Sequence, residues 1–435
     1  MAKYALVGCK LIDGIHPGIK SGMTILVDGG KLLAIGPAGE IAVPPEYRSI
    51  PLDGKTIMPG LINAHVHLLA SDKPMKAIAA GKSQDRLLRF LHTGLGKSII
   101  DGMVKSHVQA ALQSGVTTLR CVGDLLYSDV KLRDHIAAGK VQGPRLLVSG
   151  PVITPTGGHG QAFSIICDSP WEVRKAVRKN AHEQVDLIKI CSTGGVTDAR
   201  KLGEAGRPTM TAEEIAAACE EAHKAGLLVA SHTQSLQGVK TALECGVDTI
   251  EHGSPLDDEL IELFLHNPRS LRGYSCMVPT LYPAIAIGKL SGSVTHMKPV
   301  NIQNSEIIYE GMVEGLRRAM AAGIKVGMGT DASCPFVTHY NTWRELDFLV
   351  RYAGLTPEQA IQNATRVNAE ILGIEDRTGT LEKGKAADLI VLENNPLEDV
   401  RALAGVSMVM AGELFIEKPA VKPYPEVEAA LNSIK

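Results

Sequence analysis

Between residues 59 and 373 the chain repeats one pattern: a segment of helical length, a glycine, then a short apolar run. Residues 108–115 end in Gly115 and lead into 116–119, and a segment opening at Thr211 reaches Gly226 and leads into 227–230. Likewise 238–246 feeds 247–250, and 312–323 feeds 324–328. Glycine readily takes the left-handed conformation that stops a helix. Thr211 with Glu214 three residues on has the pattern of a capping box. The apolar runs have strand length, and the predicted strands are 61–65, 116–120, 145–149, 187–191, 228–232, 249–252, 275–279 and 324–331. About eight strands alternating with helices predict an α/β fold, a (β/α)8 TIM-like barrel. A doubly wound open sheet is the alternative, because alternation does not report closure.

The two ends are patterned differently. Segments 5–12, 23–27 and 32–35 are apolar runs separated by glycine-rich turns such as Asp28-Gly29-Gly30, and 387–392, 407–411 and 414–416 resume the pattern. The expectation is a small β-sandwich domain assembled from both termini, residues 1–58 and 374–435, around a barrel of residues 59–373. Two independent β appendages are the alternative.

Composition narrows the partners. The 435 residues are 45% hydrophobic and 21% charged, which suits a soluble globular protein with a sizeable core. A formal net charge of -2 favours neither nucleic acid nor an anionic membrane. No apolar run reaches transmembrane length, and the apolar run near Met1 is too short for a signal peptide. The 8 cysteines are scattered with no Cys-x-x-Cys pair, which predicts reduced thiols and a cytoplasmic protein. Cys121, Cys191 and Cys245 read as small core residues. This composition is compatible with a small-molecule substrate. A homo-oligomer is expected from the helical outer surface of a barrel.

The polar residues then stand out by position. His65, His67, Arg120, Lys189, His232, His252 and Asp331 each lie at or just beyond the C-terminal end of a predicted strand, the face where barrel active sites sit. Strand side chains alternate, so His65-Val66-His67 puts two imidazoles on one face. The four histidines with Asp331 form a donor set for zinc-like divalent metals, although each histidine singly is as readily a hydrogen-bonded core residue. Lys189 lies on the opposite face of its strand from Ile188 and Ile190, pointing inward or into the helix layer. Lysine is rarely buried without a partner. Either it meets a buried carboxylate, or burial leaves a neutral amine. A neutral amine can add CO2 to give a carbamate whose two oxygens could bridge two metals.

Pro59-Gly60-Leu61-Ile62-Asn63-Ala64-His65-Val66-His67 and the 379–389 segment Gly-Thr-Leu-Glu-Lys-Gly-Lys-Ala-Ala-Asp-Leu resemble motifs of the amidohydrolase superfamily, across nearly the whole chain. Thr154-Pro155-Thr156-Gly157-Gly158-His159-Gly160, Lys189, Val278-Pro279-Thr280-Leu281 and Gly329-Thr330-Asp331 resemble its binuclear metal-dependent subgroup of Xaa-Pro dipeptidases, arginine/lysine dipeptidases and ochratoxinase. That resemblance implies two divalent ions, usually zinc. His65, His67 and Asp331 would hold one, His232 and His252 the other, and carboxylated Lys189 would bridge them. It implies cleavage of an amide or peptide bond in a dipeptide or N-acyl amino acid by a metal-bridging hydroxide. Asp331 would take the proton and deliver it to the leaving amine.

His159 would help bind the carbonyl oxygen or the substrate's carboxylate; a glycine turn that merely exposes it is the alternative. Arg120 would pair with a substrate carboxylate or form a structural ion pair. The chain departs from the subgroup at Gln234, where a tyrosine is common, and at Cys121, where an aspartate often follows the arginine. Gln234 is thereby a candidate substrate contact of its own kind. His339 follows Asp331 closely enough to line the mouth. The rival reading is a cyclic-amide hydrolase or deaminase of the imidazolonepropionase type. Deaminases of the superfamily typically carry a glutamate where this chain has Ser235, and Lys189 also speaks against a mononuclear site. A catalytically silent scaffold would be expected to lack metal ligands, and all of them are present.

Overall fold

The computed structural model describes residues 2–69 and 82–434. Strands from both ends of the chain form one eight-stranded sheet. Its order is Leu414–Ile416, Val406–Ala411, Leu389–Leu392, Thr56–Pro59, Lys3–Leu11, Lys20–Asp28 and Lys31–Pro37, with Arg48–Pro51 added to Lys3–Leu11. Thr56–Pro59 is the seam. It runs parallel to Lys3–Leu11 and antiparallel to Leu389–Leu392, so the termini share one core of Leu6, Leu11, Ile25, Ile57, Leu389 and Val391. Asp388 ties this sheet to the rest: its carboxylate takes Arg145 Nη1 at 2.7 Å and Gly412 N at 2.9 Å, and its carbonyl takes Gly60 N at 2.9 Å. A Cβ at Gly60 would lie 2.3 Å from Thr117, so the turn into the first parallel strand requires glycine.

The parallel strands form two ladders. One contains Leu61–Val66, Val116–Cys121 and Arg145–Val148; the other runs Ser164–Ile166, Val152–Thr154, Leu187–Cys191, Leu228–Thr233, Thr249–His252 and Cys276–Val278. Val152–Thr154 and Ser164–Ile166 flank the glycine-rich loop carrying His159 and fall outside the predicted strands. The predicted helix starts hold: Thr211 and Glu214 exchange side-chain and backbone bonds in a capping box before Ala212–Lys224. Gly323 closes Pro299–Ala322 in the left-handed conformation, at φ 77°.

The predicted strand 324–331 is the exception. It carries only an isolated bridge, Met277 to Val326, with a second just beyond it, Val66 to Ala332. Backbone bonds still hold it between the two ladders: Gly327 N to Met277 O at 2.8 Å on one side, Ala64 N to Met328 O at 3.0 Å on the other. The reason is Asn368. Its amide donates to Ile62 O at 2.6 Å and Met328 O at 2.8 Å, and accepts from Met328 N at 3.0 Å. A side chain has taken the place of ladder bonds. Across the opposite gap, Asp186 N donates to Val148 O at 2.7 Å. Among the described residues no helix is long and apolar enough to cross a membrane, and the cysteines are free thiols.

Asn368→Leu keeps the volume and removes three hydrogen bonds to buried backbone groups. It is expected to destabilise the fold by at least about 2 kcal/mol, measured by urea unfolding.

Candidate active site

The Leu61–Val66 strand delivers His65 and, one residue beyond its end, His67. Each ring is fixed through Nδ1: His65 to Glu251 Oε2 at 2.6 Å, His67 to the Gly123 carbonyl at 2.7 Å. The remaining nitrogens face one carboxylate oxygen, with Asp331 Oδ1 at 3.5 Å from His65 Nε2 and 3.3 Å from His67 Nε2. One ligand atom from each of these three residues lies within 4.8 Å of the others.

His252 and Asp331 are held in left-handed backbone conformations, at φ 71° and 57°. For residues other than glycine this costs about 1–3 kcal/mol each and marks positions over-determined by their surroundings. The surroundings are visible. Asp331 N donates to His65 O at 2.8 Å, and His252 Nδ1 pairs with Thr280 Oγ1 at 2.7 Å. His232 lies at the end of Leu228–Thr233, with Nε2 3.4 Å from the Gly194 carbonyl. Ring centroids run in a chain: His67 to His65 at 5.6 Å, His65 to His252 at 5.0 Å, His252 to His232 at 4.5 Å. The structure therefore brings the four histidines and Asp331 together.

Lys189 sits in Leu187–Cys191, is 2% exposed, and belongs to the same electrostatic cluster. No hydrogen bond or ion pair holds its Nζ among the described residues. Burial lowers its pKa, against the raising influence of Glu251 and Asp331. Of the two fates open to a buried lysine, the salt-bridged one is absent. Glu251 is the fully buried carboxylate nearby, but it is committed to Arg120 Nη2 at 2.7 Å and to His65.

Arg120 takes the structural alternative. At 2% exposed, its guanidinium bonds to Glu251, Thr249 Oγ1 and the Ala64 carbonyl. His159 stacks on His232 at 4.3 Å and pairs through Nδ1 with Asp198. Gln234 is partly buried; its backbone N–H donates to Thr193 Oγ1 at 3.2 Å, while its Oε1 is buried without a partner. His339 does not line the mouth. It is buried, with Nε2 2.8 Å from the His67 carbonyl, and its ring stacks on His107.

Electrostatics suit a cation. Burial pushes the pKa values of His67, His232 and His252 down, leaving neutral rings with a lone pair. Burial would push Asp331 up, but the adjacent imidazoles of His65 and His67 hold it well below the usual carboxylate range. Glu345 behaves oppositely. Burial raises it to about 8, although it accepts Leu281 N and Tyr282 N at 2.8 Å each.

A model of the amidohydrolase family matches residues 56–413. The chain belongs to the amidohydrolase family. A candidate prolidase from Bifidobacterium longum is 42% identical with a TM-score of 0.88, covering 100% of this chain and 99% of that one. A Xaa-Pro dipeptidase with methionine bound in its active site is 29% identical with a TM-score of 0.83, covering 96% of this chain and 100% of that one. Ochratoxinase from Aspergillus niger is 25% identical over 85% of this chain and 77% of that protein.

Within this amidohydrolase several residues at the site were given no role of their own by the sequence. Glu251, Thr280 and Gly123 orient the rings, Asp198 pairs with His159, and the Cys334 thiol lies 3.5 Å from Asp331 Oδ2. Glu251 did carry a signal, a charge inside the strand run Thr249–His252. Thr280 lay within the 278–281 motif and Cys334 three residues from Asp331, while Gly123 and Asp198 carried no signal, because their partners lie far along the chain.

Gly329 explains the glycine two residues before Asp331: a Cβ there would lie 2.5 Å from His65 Cβ. Gly329→Ala is expected to cost about 1–3 kcal/mol in thermal unfolding by overpacking against His65.

Proposed function

We propose that this amidohydrolase is a binuclear metal-dependent hydrolase that cleaves the C–N bond of a dipeptide or N-acyl amino acid. The observation that carries the reading is Lys189, buried and, among the described residues, unpaired beside the His and Asp cluster. The donor set fits metal ions. With each Nδ1 of His65, His67 and His252 already partnered, Nε2 is the nitrogen left for a cation; in His232 the carbonyl near Nε2 leaves Nδ1. His65, His67 and Asp331 would hold one ion and His232 and His252 the other. A neutral Lys189 amine would add CO2 and release a proton, giving a carbamate anion between them. Two divalent cations of zinc type bound there would supply a water acidified toward neutral pH and a Lewis acid for the scissile carbonyl.

The chain's own residues would do the rest. Ionised Asp331 accepts a proton from the attacking water and returns it to the departing amine nitrogen. His159, held over His232 by Asp198, and the amide of Gln234 contact the substrate. The names of the structural neighbours, prolidase and Xaa-Pro dipeptidase, support an amino-acid product. The two parallel ladders, joined through 324–331, are read as one closed (β/α)8 barrel. The terminal sheet forms its separate β-sandwich domain.

The test is a screen of zinc-loaded protein against dipeptides and N-acyl amino acids, following amino acid release alongside metal content. Two ions per chain and amino acid release are expected. Lys189→Ala is expected to drop the content toward one ion and abolish turnover. A single ion in the parent, with Lys189→Ala fully active, would overturn the binuclear reading. Ammonia release from heterocyclic amines alone would favour the deaminase. Asp331→Asn is expected to lower kcat by on the order of 10²–10⁴-fold in steady-state kinetics.

A further inference from the structure

We propose that Glu251 is the positioning residue that sets the tautomer of His65, and that Arg120 and Thr249 decide which carboxylate oxygen His65 receives. The inference rests on the metal reading above and goes beyond it by assigning the group that aims a ligand.

The two oxygens of Glu251 have different partners. Oε1 accepts from Arg120 Nη2 at 2.7 Å and Thr249 Oγ1 at 2.7 Å; among the described residues Oε2 meets only His65 Nδ1, at 2.6 Å. Thr249 also accepts from Arg120 Nη1 at 3.0 Å, and its own hydroxyl proton goes to Oε1. Arg120 is itself anchored through Nε to the carbonyl of Ala64, the residue before His65. All three side chains are buried, at 2% for Arg120, 2% for Thr249 and 0% for Glu251, so no solvent competes for these bonds.

An ionised carboxylate only accepts, so the proton of His65 must sit on Nδ1. The lone pair is then on Nε2, the nitrogen that faces Asp331 Oδ1. A ring with the other tautomer would present an N–H to the cation and could not bind it. Carboxylate partners of this kind orient ligating histidines and raise their basicity, and their loss weakens metal binding by about 10–100-fold.

The arrangement makes an unusual demand on an isosteric change. In Glu251→Gln, Arg120 and Thr249 both donate toward the Oε1 position and draw the amide oxygen there. The amide NH2 is left facing His65 Nδ1, which must then accept, and the His65 proton moves to Nε2. Removing Arg120 frees the amide to rotate and offer its oxygen to His65 again.

The experiment is cobalt(II) binding to the full chain, read by visible absorption and by equilibrium dialysis, for the parent, Glu251→Gln and Arg120→Met/Glu251→Gln. Glu251→Gln is expected to weaken one of the two cation positions by about 10–100-fold and change its absorption bands. The double variant is expected to bind more tightly than Glu251→Gln alone, a rescue that loss of a merely structural ion pair would not produce. Glu251→Gln binding cobalt like the parent, or a double variant no better than the single, would overturn the proposal.

Should Glu251→Gln fail to fold with Arg120 unpaired, Arg120→Met/Glu251→Gln is compared with Arg120→Met/Glu251→Leu. Neither carries a buried charge at these positions, and only glutamine can accept from His65. Weaker binding by the leucine variant supports the proposal, and equal binding overturns it. A parent that binds no cobalt overturns the functional reading and this inference together. Two ions bound equally by parent and variants overturns this inference alone.

Discussion

A carboxylate buried in the middle of the parallel strands governs the arrangement of the site. Glu251 would be costly to ionise there, since desolvating a charge is repaid only by close partners and hydrogen bonds. Arg120, Thr249 and His65 together supply them, and the group stays ionised well below the usual carboxylate range despite burial, with Arg120 the largest stabilising influence. The same contacts that make this charge tolerable fix the ring of His65. They also leave Lys189 with a carboxylate nearby but none to bond to, which is the condition under which a buried amine loses its proton.

Around that network the backbone bends to suit the site. Asp331 and His252 sit in left-handed conformations, each with neighbours that fix it. The segment leading to Asp331 gives up regular strand pairing, and the Asn368 amide replaces the missing bonds. A strand with a uniform ladder would carry its side chains in strict alternation. The interrupted one swings Asp331 to face both His65 and His67 through one oxygen.

Much of this was legible along the chain. The glycine-punctuated repeat marked the helices and strands because helix termination and strand burial are local properties. His65-Val66-His67 declared a shared face because alternation is local too. Lys189 was conspicuous because a charge between Ile188 and Ile190 has few structural explanations. Arg120 was less so: both a substrate contact and an ion pair fitted its position, and only the fold showed its guanidinium committed to Glu251, 131 residues away. The irregularity of 324–331 was equally hidden, since Asn368 reaches Ile62 across 306 residues.

The sequence by itself determined which side chains could hold cations, on which strand ends they lie, and the family to which they belong. Those properties depend on residue type and on spacing within a few residues. The tertiary structure alone decided which nitrogen of each histidine is free, which carboxylate serves as brace and which faces the ligand atoms, and that Lys189 makes no ion pair among the described residues. These depend on distances between atoms remote in the chain, where a hydrogen bond near 2.7 Å exists or does not.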